Sequence, residues 1–181
     1  MAATASAATP PAAGAVVDSA FPMDVQIERF RRGTPQVTHL RSDITSRDSL
    51  VRSIIAGLAR SDTAALERLA VNVAEYAWLY FPTTKVAQPP YEVPPALAWF
   101  QVQEKNRRGA LRALRELGGH RITFKSYHCD AEPAVEGQNR IWSGCVATFS
   151  RDGAAMVDLK LFGAILERSG RFEVLSYQND F

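Results

Sequence analysis

The sequence predicts an α+β fold, with N-terminal helices packed on a curved antiparallel sheet of about four strands. Three observations carry this. The first half of the chain places apolar residues at helical spacing, as in "SLVRSIIAGLA", where Leu50, Val51, Ile54, Ile55 and Leu58 share one face. From Arg121 onward the texture changes to alternating apolar and polar residues, the period of a strand. Short turn signals divide that second half, "SRDG" at residues 150–153 and "SG" at residues 169–170.

The elements follow in order. Residues 1–20, "MAATASAATPPAAGAVVDSA", are small or polar with a single charge, Asp18. Such a segment buries too little apolar surface to offset the entropy of ordering, so it is expected to be a disordered tether. It lacks the basic start and strongly apolar middle of a signal peptide. It is read as the remainder of an export segment, similar to the tether behind the anchoring cysteine of bacterial lipoproteins. That makes the expected location periplasmic or lipid-anchored, with a cytoplasmic protein as the alternative. Residues 21–181 are expected to form one domain, its core spanning about 47–181.

"DVQIERFRRG" reads as a short helix capped by Asp24 and ended by Gly33, with Val25, Ile27 and Phe30 inward. Ser46 is the expected cap of the next helix, with Asp48 in its first turn. Asp62 then caps another, with Leu66, Leu69 and Val73 inward. "AEYAWLYFP" either continues that helix or turns into a short strand, and Pro82 stops it. Pro95 opens a long helix carrying Trp99, Val102, Leu111, Leu114 and Leu117, broken or not at Gly109 and ended by Gly118 and Gly119. Arg108, Arg112 and Arg115 lie on one of its faces, read as solvated, with an anion-binding stripe as the alternative.

In "RITFKSYHC", Ile122, Phe124 and Ser126 are expected on one face and Thr123, Lys125 and Tyr127 on the other. "RIWSGCVATF" reads as one strand. "AMVDLKLFGAILER" reads as another, with Val157, Leu159 and Leu161 inward and a bulge or sharp bend at Gly163. "RFEVLSYQNDF" is the last strand.

The run "SLVRSIIAGLARSDTAALERLAVNVAEYAWLYFP" resembles the opening of the nuclear transport factor 2-like superfamily. The resemblance covers roughly residues 47–181. It implies a long helix, a small-Asp break, a second helix, a further helix and a strongly bent sheet, together forming a cone. It also implies that the open end of the cone holds a small apolar ligand in some members. The superfamily includes polyketide cyclases, ketosteroid isomerases and dehydratases beside non-catalytic binding and dimerising modules. The proline-rich insert near Pro89 and the extra segment from Asp24 to Thr45 depart from its usual pattern.

Composition narrows the function classes. A net charge of +2, with acidic and basic residues interleaved, does not suggest a nucleic-acid surface. No apolar run reaches the roughly 18–20 residues of a membrane span. Cys129 and Cys145 fall in neighbouring expected strands, so an exported chain is expected to bridge them, two buried free thiols being the other reading. His39, His120 and His128 have no metal-ligand spacing, and no phosphate loop or nucleophile elbow is present, so no cofactor is expected. Glu75, His128, Asp130 and Asp158 are the side chains a proton-transfer enzyme would draw on, but none sits in an acid–base spacing, and no catalytic residue is assigned. Tyr76, Tyr80, Tyr91 and Trp99 on the helical side, with Tyr127 and Trp142 from the sheet, are the pocket candidates, because Tyr and Trp join an apolar body to a polar handle. The reading placed first is a binding or interaction module for a small apolar ligand. A small lyase or isomerase acting in the cone, and a homodimer scaffold joined through the sheet face, are the alternatives. Which one holds turns on whether the space under the sheet is hollow.

Overall fold

The computed structural model describes residues 21–181; the tether expected over 1–20 lies outside them. Helix α1 spans Met23–Arg31, with Pro22 at its cap position and no side-chain cap. Asp24, expected as the cap, sits instead inside the first turn, where its charge still suits the helix dipole. The helix also stops before Gly33. Helix α2, Arg47–Ala59, starts as expected, with Ser46 accepting a hydrogen bond from Ser49 N, and its apolar stripe is buried. Helix α3, Thr63–Leu69, is capped by Asp62, which accepts from Ala65 N at 2.8 Å. The chain then touches the sheet, Val71 N donating to Val174 O at 3.0 Å.

"AEYAWLYFP" is helical throughout. A short helix α4, Val73–Glu75, runs into a π-helical turn, Tyr76–Tyr80, and then into a 3-10 turn, Phe81–Thr83, that contains Pro82. The long helix α5, Pro95–Leu117, passes through Gly109 without a break.

The α+β class holds, but among the described residues the strands number seven, in two antiparallel sheets. β1 (Ile122–His128), β4 (Val146–Arg151) and β5 (Val157–Leu159) make one, in the order β1-β4-β5. β2 (Ala134–Glu136), β3 (Asn139–Trp142), β6 (Ala164–Arg168) and β7 (Arg171–Ser176) make the other, in the order β2-β3-β6-β7. Both "RIWSGCVATF" and "AMVDLKLFGAILER", expected as single strands, divide between the sheets. The first turns its corner at residues 143–145, where Gly144 has φ +62° and the Asp130 carboxylate occupies the space a Cβ would take. The second turns at residues 160–163, and its register shifts between Ala164 and Ile165, next to the expected bend at Gly163.

Two expected faces change. A register shift between Phe124 and Ser126 in β1 turns Tyr127 and Cys129 toward the core, on the side expected for Ser126. Val157 is exposed rather than inward, because β5 ends the sheet and only Leu159 and Leu161 reach the core.

Two cores result. One joins α2, α3 and α5 to both sheets through Leu50, Ile54, Leu58, Leu117, Phe149 and Phe162. The other joins α1, the π-helical turn and the first half of α5 to the four-stranded sheet through Tyr76, Leu79, Phe81, Ala98 and Leu166. Ile165 belongs to the first and its neighbour Leu166 to the second; Val174 and Leu175 divide likewise. Successive strand residues point to opposite faces, so the four-stranded sheet is covered on both.

Candidate functional site

The first core packs beneath the sheets, where a ligand cavity was expected. A groove of about 810 Å³ lies between the α3–α4 segment and α5. Leu66, Ala70, Val71, Ala110, Leu114 and Tyr177 are among its apolar lining, and Trp99 and Phe100 stand at the α5 start. Phe100 is 59 % exposed and Leu111 is 45 % exposed, so the groove opens to solvent along apolar side chains.

The segment after β7 is pinned to α5 beside this groove. Asn106 Oδ1 accepts from Tyr177 N at 2.7 Å, and its amide donates to Leu175 O at 3.2 Å. The Tyr177 hydroxyl donates to Leu66 O at 2.7 Å, tying α3 to the same point. Asn179 Nδ2 donates to Gly109 O at 2.7 Å, and Gly109 lets the Tyr177 carbonyl approach the α5 backbone. Burial holds the Tyr177 phenol well above the ordinary range, so it stays a hydrogen-bond donor.

The rim charges are mostly engaged. Arg107 pairs with Glu104 at 3.1 Å, and the Arg41 guanidinium donates to the carbonyls of Glu67, Arg68 and Ala70 at the end of α3. Arg41, Arg107, Glu67 and Glu104 balance in charge, so the groove carries no net sign.

A second, polar pocket of about 340 Å³ sits beside the bridged Cys129 and Cys145. It is lined by Arg47, Tyr127, His128, Asp130 and Trp142 among others. The Arg47 guanidinium lies 3.6 Å over the Trp142 ring, whose Nε1 donates to Glu167 at 2.7 Å.

The six aromatic candidates do not converge. Tyr76 is buried against Phe30, Tyr80, Phe81 and Trp99, the last at 4.9 Å between ring centres. Trp99 alone reaches the groove. Tyr80 is partly buried in the same cluster; burial first, and the Glu136 carboxylate second, push its phenol up. Tyr91 is 65 % exposed and lines neither pocket. Tyr127 and Trp142 belong to the polar pocket.

Of the proton-transfer candidates, Asp158 is exposed and accepts from the Thr148 hydroxyl at 2.6 Å, and His128 and Asp130 line the polar pocket. Glu75 is 1 % exposed and stands against Glu173, which is 0 % exposed. Burial, then the Glu75 charge, pushes the Glu173 carboxyl up to about 9. Sequence reasoning missed Glu173. Its signal was a lone acid inside the apolar run of "RFEVL", in a strand buried on both faces.

No family model matches the chain, and neither a curated protein nor a solved structure matches it.

Proposed function

We propose that this protein is a non-catalytic binding module whose α3–α5 groove holds a small, uncharged, largely apolar ligand. The groove itself carries this reading: about 810 Å³ of apolar-lined space, within the usual range for small-molecule sites. Its balanced rim favours a ligand without net charge. Glu75 and Glu173, the buried acid pair, lie outside the groove lining. The order of a long helix, a capped second helix, a further long helix and strands that switch sheets supports kinship with the nuclear transport factor 2-like superfamily. The disulfide supports an oxidising compartment such as the periplasm.

The test is titration with a neutral hydrophobic fluorophore, N-phenyl-1-naphthylamine, followed by native mass spectrometry for a co-purified ligand. Ala110→Trp fills the groove and is expected to weaken fluorophore binding by about tenfold or more. Equal binding by the wild type and this variant sinks the groove reading. Thiol alkylation in intact cells checks the compartment: a fully reduced pair contradicts export.

A further inference from the structure

Glu75 and Glu173 are the two charged residues, among those described, that are almost wholly removed from solvent. One comes from α4 and the other from β7, and the strap at residues 40–43 runs over both. Glu75 Oε1 accepts from Arg41 N, and its Oε2 accepts from Asn72 N at 2.9 Å. Glu173 Oε1 accepts from Ser42 N at 2.9 Å. Three of the four carboxylate oxygens are thus filled by backbone N–H groups. The fourth, Glu173 Oε2, is buried and receives no hydrogen bond from any donor.

No lysine or arginine side chain hydrogen-bonds either carboxylate among the described residues. A metal ion does not suit the pair, because three oxygens already face N–H donors and a site needs about four ligands. Two carboxylates in contact away from water cannot both be ionised without a large cost, so they share one proton. A proton on Glu173 Oε2, donated to Glu75, satisfies the orphan oxygen and removes the repulsion together.

We propose that Glu75 and Glu173 form a proton-held latch: the shared proton clamps the strap at residues 40–43 between α4 and β7, and its loss releases the strap. The strap carries Arg41, which also lines the groove with Val71 and Asn72, so release loosens that wall. The surrounding charges are few. Arg41 turns its guanidinium to the α3 carbonyls, and its charge lowers the Glu173 carboxyl only slightly against the raising causes. Arg171 on β7 reaches Ser42 O at 2.8 Å and the exposed Asp43 at 3.2 Å. β6 opposes Glu173 with apolar Leu166. The next residue after Glu75, Tyr76, has a phenol pushed up by burial and by Tyr80, so it stays neutral. Arg171 and the Arg41 guanidinium therefore keep hold of the strap after the latch opens, and the change is local.

The raised Glu173 carboxyl sets the working range well above that of ordinary carboxylates. The experiment is NMR of the glutamate side-chain carboxyl carbons from pH 5 to pH 10, with the backbone amides of Arg41, Ser42 and Asn72 followed in parallel. The wild type is expected to show one glutamate titrating far above the rest, with those three amides moving alongside it. Glu173→Gln, which mimics the protonated acid, removes that titration and makes the amides insensitive to pH. Glu75→Gln removes the neighbouring charge and moves the transition to lower pH, a second check should Glu173→Gln fold poorly. The latch is overturned if every glutamate titrates in the ordinary carboxylate range while the protein stays folded. It is equally overturned if the amides follow the same profile in wild type and Glu173→Gln. These outcomes do not depend on what the groove binds.

Discussion

Gly109 occupies a helix interior, where alanine is ordinarily the better residue by about 1 kcal/mol. Here the preference inverts, because a Cβ would collide with the Tyr177 carbonyl. Gly109→Ala is expected to destabilise the protein by about 1–3 kcal/mol in urea unfolding, the scale of overpacking. A gain in stability would contradict the close approach. Glu173 gives a second prediction. Burial and the Glu75 charge push its folded carboxyl well above the ordinary 4.5, so the folded state holds a proton that the unfolded state releases. The stability tied to that proton is fully present below about pH 4.5 and is lost as pH rises toward 9. Glu173→Gln removes this dependence. It is expected to be more stable than wild type at pH 8, and the two converge toward pH 5, in denaturant melts at each pH. Neither role was legible as such. Gly109 was visible as a glycine in a helix, but the carbonyl it admits lies on the far end of the chain. Glu173 was visible as an acid in a strand, but its burial and its partner on α4 together make it hold a proton.

Helix ends were the most legible elements. Ser46 and Asp62 cap α2 and α3 where the sequence places them, because a cap is a bond across three residues and needs no tertiary partner. Asp62→Ala is expected to cost about 1 kcal/mol in thermal unfolding. At α4, Asn72 and Glu75 form a reciprocal capping box, and the same Glu75 carboxylate also holds Arg41 N, so one side chain caps a helix and half the latch. The disulfide was legible from two cysteines in neighbouring strands; it joins the end of β1 to the corner before β4. Its loop is 16 residues along the chain, so breaking it with Cys145→Ser is expected to cost about 3 kcal/mol, and non-reduced intact mass should rise on reduction by two hydrogens. The corners themselves were hidden. "WSGC" and "KLFG" keep a strand-like pattern through the change of sheet, since apolar alternation reports which face is buried and not which partner strand is paired.

At the scale of the whole molecule, packing and opening occupy different places. Ile54, 1 % exposed, fills the space under the sheets; Ala110 lines the groove. Ile54→Ala is expected to cost about 2–5 kcal/mol while leaving fluorophore binding intact, and Ala110→Trp is expected to do the reverse. Loss of fluorophore binding in Ile54→Ala, with the protein still folded, would place the ligand under the sheets and not in the groove. The helix caps, the apolar stripe of α2, the change from helix to strand near Arg121 and the cysteine pair all came from the chain itself, because each rests on residues close in sequence or on one periodicity. The sheet switches, the covering of both sheet faces, the position of the groove and the meeting of Glu75 with Glu173 came only with the tertiary structure. Each depends on which distant segments pack together, and local pattern records burial without recording the neighbour that causes it.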